Sequence, residues 1–184
     1  MRPPAGAGSG TGVPLTDLIR ARIRDIPDFP SAGIVFKDIT PLLADPVALA
    51  AVVEALSTGA GPVDKVAGIE ARGFIFAAPV AFRLGAGFVP VRKAGKLPAA
   101  TYTQDYRLEY GTAAVEVHQD AFAPGDRVLI VDDVLATGGT AGATAELVRL
   151  AGGTVAGLSV MLELEFLHGR DKLPDVDLRT LLTV

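Results

Sequence analysis

The sequence predicts an α/β fold: a central, mainly parallel sheet flanked by helices, with a small N-terminal hood. Three observations carry this. Two strand–helix–strand units lie in succession, at 65–92 and 128–162. The segment 128–131 is a continuous apolar run, as a strand buried on both faces requires. The chain also holds 21 glycines and 13 prolines among 184 residues, enough for many tight turns without the excess of a low-complexity protein.

Taken in order, residues 1–14 (MRPPAGAGSGTGVP) show no period and read as a disordered tail. Gly6, Gly8 and Gly10 lack the preceding strand and following lysine of a phosphate loop. The remainder, 15–184, reads as one domain, with the hood at about 15–43. Leu15, Leu18, Ile19, Ile23 and Ile26 recur at helical spacing and predict a helix over 15–26, stopped by Pro27 and Pro30. No period survives across 29–43. Asp45 offers an N-cap and Pro46 a first helical position, so a helix is expected from there to about Thr58. A strand at 65–69, a turn at 70–73, a helix at 74–84 closed by Gly85 and a strand at 88–92 make the first unit. Residues 93–107 are polar and read as a loop, and 109–118 returns to extended character. After a turn at Pro124-Gly125-Asp126 come the strand at 128–131, a turn at 132–140, a helix at 141–151 and a strand at 155–162. A polar segment, 163–173, leads to a last strand near 176–184.

Composition narrows the function. The formal charge is −4 and the sequence pI about 5.1, which argues against a diffuse basic surface for nucleic acid. Cysteine is absent, so disulfides, thiolate metal sites and a cysteine nucleophile are excluded. No uncharged run reaches the ~18 residues that a membrane span needs, and Pro3-Pro4 follows Arg2 where a signal peptide would be apolar. No membrane partner and a cytoplasmic location are therefore expected. His118 and His168 are isolated and lack metal-ligand spacing.

The chemistry concentrates in VLIVDDVLATGGT (128–140). An apolar strand ends in Asp132 and Asp133, and a Thr/Gly loop then opens a helix. Glycines let backbone N–H groups approach a ligand closely, the helix N-terminus adds partial positive charge, and Thr137 and Thr140 add hydroxyls. Together they predict a monophosphate cradle. The carboxylates would repel a phosphate and should face sugar hydroxyls or a metal-bound group. A Walker B strand also ends in acids, but no G-x-x-x-x-G-K-[ST] exists here. A receiver domain would carry its paired Asp near its start. A solvated acidic turn explains the acids but not their union with the loop and helix. Cations are expected beside the cradle: Arg92, Lys93 and Lys96 lie within five residues after one strand, and Arg72 sits in a Gly-flanked turn after another.

The segment 128–140 resembles the phosphoribosyl-pyrophosphate (PRPP) motif of the type I phosphoribosyltransferase family. FPSAGIVFKDITP (29–41) resembles the hood segment of that family's adenine-specific branch, and GIEARGF (68–74) its pyrophosphate loop. RKAGKLP (92–98) and LEYG (108–111) resemble its mobile loop and the segment after it, and GRDKL (169–173) also fits. The resemblance spans about 15–184. It implies the type I phosphoribosyltransferase fold and a transfer between PRPP and adenine giving AMP and pyrophosphate, in purine salvage.

It also implies roles. Asp132 and Asp133 would bind ribose hydroxyls, and Ala136, Thr137, Gly138, Gly139 and Thr140 the 5′-phosphate. Glu70, Ala71, Arg72, Arg92 and Lys96 would serve the pyrophosphate, with a non-proline cis peptide at Glu70–Ala71. Val35, Phe36 and Lys37 would read adenine largely through backbone groups. Lys93 and Tyr110 would belong to the mobile loop. Glu109 would be the catalytic glutamate, and Arg72 would also be catalytic. Mg²⁺ would arrive with PRPP near Asp132 and Asp133, not in a protein cage. A homodimer is implied. The rivals are a phosphoribosyltransferase for another base and a PRPP-sensing regulator that binds nucleic acid; the acidic pI speaks against the latter.

Overall fold

The computed structural model describes residues 12–107 and 112–184, and these divide between Leu49 and Ala50 into two compact units. In the first, α1 (Leu15–Arg20) is followed by β1 (Arg24–Pro27), β2 (Val35–Asp38) and α2 (Thr40–Ala44). The predicted helix over 15–26 thus stops six residues early. Its second half is taken by antiparallel pairing, with Arg24 opposite Asp38, Asp25 opposite Lys37 and Ile26 opposite Phe36. Two of these cross-strand pairs are ion pairs, Arg24–Asp38 at 2.7 Å and Lys37–Asp25 at 2.8 Å. Helical spacing is a local preference, and partners 12 and 14 residues away override it.

Helix α3 (Pro46–Leu56) begins where predicted, and the Asp45 carboxylate accepts from the Val47 and Ala48 amides. The second unit is built on a seven-stranded sheet in the order β5-β6-β4-β3-β7-β8-β9. Its strands are β3 (Lys65–Ile69), β4 (Gly87–Lys93), β5 (Thr101–Arg107), β6 (Thr112–His118), β7 (Arg127–Leu135), β8 (Thr154–Glu163) and β9 (Leu178–Thr183). β4, β3, β7, β8 and β9 are parallel, and the β5–β6 hairpin joins β4 antiparallel. Helix α4 (Gly73–Leu84) packs on β3, β4 and β7, and α5 (Gly139–Leu150) packs on β5 through β8. Val128, Ile130, Val131, Leu158, Val160 and Leu162 are at most 1% exposed, so the apolar surplus of the composition sits in the central strands.

Two further expectations change. Residues 93–107 are not all loop, because 101–107 form β5, in register with β6 from Thr101 opposite His118 to Arg107 opposite Thr112. Of the hydrophobic side chains of this polar strand, Tyr102 and Tyr106 pack against the core. The turn expected at 132–140 is also shorter. β7 continues pairing with β8 as far as Leu135 opposite Glu163, so both aspartates lie within the strand.

Close packing between β3 and α4 depends on Gly68. A Cβ there would come within 2.6 Å of the Ala77 Cβ and 2.8 Å of the Phe88 ring. Gly68→Ala should cost about 1–3 kcal/mol by overpacking, lowering the melting temperature by roughly 2–4 °C per kcal/mol. Calorimetry of the two proteins checks this, and an unchanged transition would mean that the layer yields.

Candidate active site

The sheet reverses its winding between β3 and β7. The chain leaves β3 for β4 on one side and leaves β7 for β8 on the other. Ligands of open α/β sheets bind at such a switch point, beyond the carboxyl ends of the strands. The residues singled out in the second unit gather there. Glu70, Ala71 and Arg72 follow β3, Arg92 and Lys93 end β4, and Asp132 and Asp133 lie toward the end of β7.

Asp133 is 5% exposed and Asp132 half-buried. Burial pushes both carboxyls above their ordinary values. The charge of Asp133 pushes Asp132 further, and the Arg72 guanidinium opposes the rise at both. Arg72 Nε lies 2.7 Å from Asp133 Oδ2, but off the line of a hydrogen bond, and that buried oxygen is left without a donor. The Asp133 amide donates to Asp132 Oδ1 at 2.9 Å. The first residue of α4 must be small, since a Cβ on Gly73 would meet Asp132 Oδ1 at 2.7 Å and the Val131 carbonyl at 3.0 Å. The Glu70–Ala71 peptide bond is cis, as the resemblance implied, and so is Phe29–Pro30.

After Leu135 the chain turns through Ala136, Thr137 and Gly138 into α5. Gly138 caps that helix in the left-handed region, at φ 77°, with no side-chain cap bond. The first-turn amides, including those of Gly139 and Thr140, therefore have no intrahelical acceptor and none from the side chain of the cap residue. With the helix dipole behind them they form an anion cradle.

Of the cations, Arg72 and Arg92 are held by carboxylates. Glu70 accepts from Arg92 Nε at 3.1 Å and from the Lys93 amide at 3.0 Å. Burial raises its carboxyl, but these donors outweigh it and leave it below the ordinary value. Arg92 Nη1 also donates to the Lys96 carbonyl at 3.0 Å. The Lys93 and Lys96 side chains are exposed and form no ion pair with a described residue. Sequence reasoning missed Glu116. It is 4% exposed on β6 and accepts from the Lys96 and Leu97 amides, both at 2.8 Å on one oxygen. Burial raises this carboxyl too, and the amides of the 95–97 turn more than reverse it. Its signal in the sequence is a lone acid among the apolar alternation of Ala113, Val115 and Val117.

In the first unit, Val35, Phe36 and Lys37 lie together on β2. Val35 is half exposed, the Phe36 ring meets Phe29 edge-on at 5.2 Å, and Lys37 pairs with Asp25. Glu109 and Tyr110 lie outside the described residues.

Fold and cradle are those expected of a transferase acting on a phosphorylated ribose, and comparison with known proteins agrees. The sequence model of the phosphoribosyl transferase domain matches residues 40–178. The adenine phosphoribosyltransferase of Thermobifida fusca (strain YX) is 65% identical over 172 residues, 92% of this chain and 98% of that protein. The crystal structure of adenine phosphoribosyltransferase from Rhodothermus marinus DSM 4252 has a TM-score of 0.88 at 51% identity, covering 92% of this chain and 98% of its own. The APRTase of Giardia lamblia complexed with 9-deazaadenine has a TM-score of 0.87 at 40% identity, covering 94% and 98%. The chain belongs to the phosphoribosyl transferase family, and within it to the adenine phosphoribosyltransferases.

Two predictions follow from the carboxylates. Asp132→Asn removes a charge that burial and Asp133 disfavour, so the free protein should melt a few degrees higher at neutral pH, at roughly 2–4 °C per kcal/mol. Because the folded-state pKa of Asp132 is raised, its penalty exists only where the unfolded chain is ionised. The gain should vanish as pH falls below about 4. Melting curves at pH 7 and pH 3.5 check both signs. Glu116→Ala removes two hydrogen bonds to a charged acceptor, about 1.5–3 kcal/mol each. Amide hydrogen exchange at Lys96 and Leu97 should accelerate about tenfold or more.

Proposed function

We propose that this chain transfers the 5-phosphoribosyl group of PRPP to adenine, giving AMP and pyrophosphate in purine salvage. The observation that carries the reading is the pair Asp132–Asp133 toward the end of β7, joined to the Gly138-capped cradle at the start of α5 and faced by Arg72. The cradle amides with Thr137 and Thr140 take the 5′-phosphate. Asp132 and Asp133 orient the ribose hydroxyls. The backbone at Glu70 and Ala71, with Arg72, Arg92 and Lys96, takes the pyrophosphate, while the Glu70 carboxylate fixes Arg92 beside it.

The reaction breaks the bond from ribose C1 to pyrophosphate oxygen and forms a bond from C1 to a ring nitrogen of adenine. Positive charge builds on the sugar, as in glycoside hydrolysis, and negative charge on the leaving oxygen. Arg72 and the 92–96 cations neutralise the leaving group. Glu109 takes the proton that the adenine nitrogen loses. The backbone of β2 at Val35, Phe36 and Lys37 reads the base.

Mg²⁺ fits the donor set. Two carboxylates, one with a buried oxygen lacking a donor, supply hard oxygen ligands. No cluster of three metal-ligating side chains exists among the described residues, so Asp132 and Asp133 would hold the ion together with substrate oxygens and water. Bound there, Mg²⁺ supplies charge neutralisation to the pyrophosphate. The chain acts as a homodimer in the cytoplasm; no helix among the described residues is long and apolar enough to cross a membrane.

AMP formation from PRPP and adenine, with hypoxanthine and guanine as controls, tests the reading. Equal turnover of all three bases would overturn the adenine assignment. Glu109→Gln should lower kcat by about 10²–10⁴-fold with the fold intact, and near-normal steady-state turnover would remove it from the mechanism.

A further inference from the structure

The cradle turn is pressed against a segment far from it in sequence. A short 3₁₀ turn, Gly169–Lys172, follows β8, and its first residue is buried. A Cβ on Gly169 would stand 2.1 Å from the Ala136 carbonyl oxygen and 2.9 Å from the Gly138 nitrogen. Conversely, a Cβ on Gly138 would stand 2.3 Å from the Gly169 carbonyl oxygen. Two backbones meet here with no side chain between them. Further along, Leu173 is 5% exposed and lies near Gly142 in the first turn of α5. The segment 169–173 therefore backs both the turn that shapes the cradle and the helix that opens from it.

One ion pair holds this segment. Glu163, the last residue of β8, has a side chain 7% exposed. Arg170 grips it with a fork, Nε to Oε1 at 3.1 Å and Nη2 to Oε2 at 2.6 Å. Thr180 on β9 donates to Oε2 at 2.9 Å, and Arg170 Nη2 reaches the Thr180 hydroxyl at 3.1 Å. Glu163 stands opposite Leu135, the last residue of β7 before the cradle turn. The clamp thus fixes Gly169 relative to the strand that delivers the cradle. None of these side chains is assigned to substrate.

We propose that Glu163, Arg170 and Gly169 are positioning residues for the 5′-phosphate of PRPP: the clamp seats Gly169 against Ala136 and Gly138 and so sets the spacing of the cradle amides. The inference rests on the reading of 136–140 as the phosphate cradle. A planar fork on a buried carboxylate defines an angle as well as a distance, which a point charge does not. Displacing a binding loop by as little as 1 Å is enough to cost about 10²-fold.

The test measures KM for PRPP, kcat at saturating PRPP, and the Kd of ribose 5-phosphate, all well below the melting temperature of each variant. Arg170→Ala and Gly169→Ala should raise both the KM for PRPP and the ribose 5-phosphate Kd about 10- to 100-fold. kcat and the KM for adenine should stay within about threefold, the pattern of lost ground-state binding. Arg170→Lys should recover only part of the loss, because it keeps the charge without the fork. Should Gly169→Ala fail to fold, the Arg170 variants carry the test. Thr140→Val is the control for the cradle. If it weakens ribose 5-phosphate while the Arg170 variants lower only the melting temperature, the clamp is structural and the inference falls. If Thr140→Val also binds normally, the cradle assignment itself falls, and the inference with it.

Discussion

Two carboxylates stand side by side near the end of a strand in the middle of a sheet, and much of the second unit is arranged around that fact. Burial raises the energy of both charges, and the charge of Asp133 raises that of Asp132 further. What offsets the cost is local. Arg72 brings a guanidinium to 2.7 Å, and the Asp133 amide donates back to Asp132. Gly73 is the residue that lets α4 begin so close, because any side chain there would strike Asp132 and the Val131 carbonyl. The run Arg72-Gly73 is therefore set by residues sixty positions away. A strained electrostatic arrangement of this kind is kept where function needs it. Here it holds two oxygen-rich side chains, one with an unused buried lone pair, beside an anion cradle.

A net charge of −4 looks ill-suited to a polyanionic substrate, yet the buried acids of this chain organise its cations. Glu70 fixes Arg92 and the Lys93 amide. Glu116 gathers the amides of the 95–97 turn from below, while Arg92 reaches the Lys96 carbonyl in the same turn. Each carboxyl is ionised despite its burial because N–H donors surround it. The acids thus act as internal scaffold, and the exposed ammonium groups of Lys93 and Lys96 are left facing solvent.

What was legible in the sequence was what is local along the chain. The parallel strands announce themselves as apolar runs, and the cradle as an acid pair followed within eight residues by its Thr/Gly loop and helix. The strand β5 was not legible, because its polar residues pair with β6 and the hydrophobic side chains it offers to the core are Tyr102 and Tyr106. Arg24–Ile26 read as helix because cross-strand partners leave no mark on local spacing. The roles of Glu116 and Glu163 were hidden for the same reason, although Glu116 stands out as a lone acid among Ala113, Val115 and Val117. Their partners lie 19–20 and 7–17 residues away, and only three-dimensional folding brings them into reach. The cis bond at Glu70–Ala71 came through resemblance alone, since neither residue type favours it.

The two sides of the site are held by different kinds of contact. The cradle turn meets Gly169 backbone to backbone, at separations that exclude even a methyl group, and that geometry has no rotamer through which to relax. The 95–97 turn is held by hydrogen bonds, from the Lys96 and Leu97 amides to one Glu116 oxygen and from Arg92 Nη1 to the Lys96 carbonyl, with Lys96 exposed. Steric backing resists displacement in every state of the protein, whereas hydrogen bonds are exchanged at modest cost. The asymmetry suits a transfer in which the 5′-phosphate stays fixed from substrate to product while the pyrophosphate must be gripped and then released. On the proposed assignment of these residues, a rigid seat on one side would preserve the position of ribose C1 as its bonds change, and a yielding loop on the other would let the leaving group go.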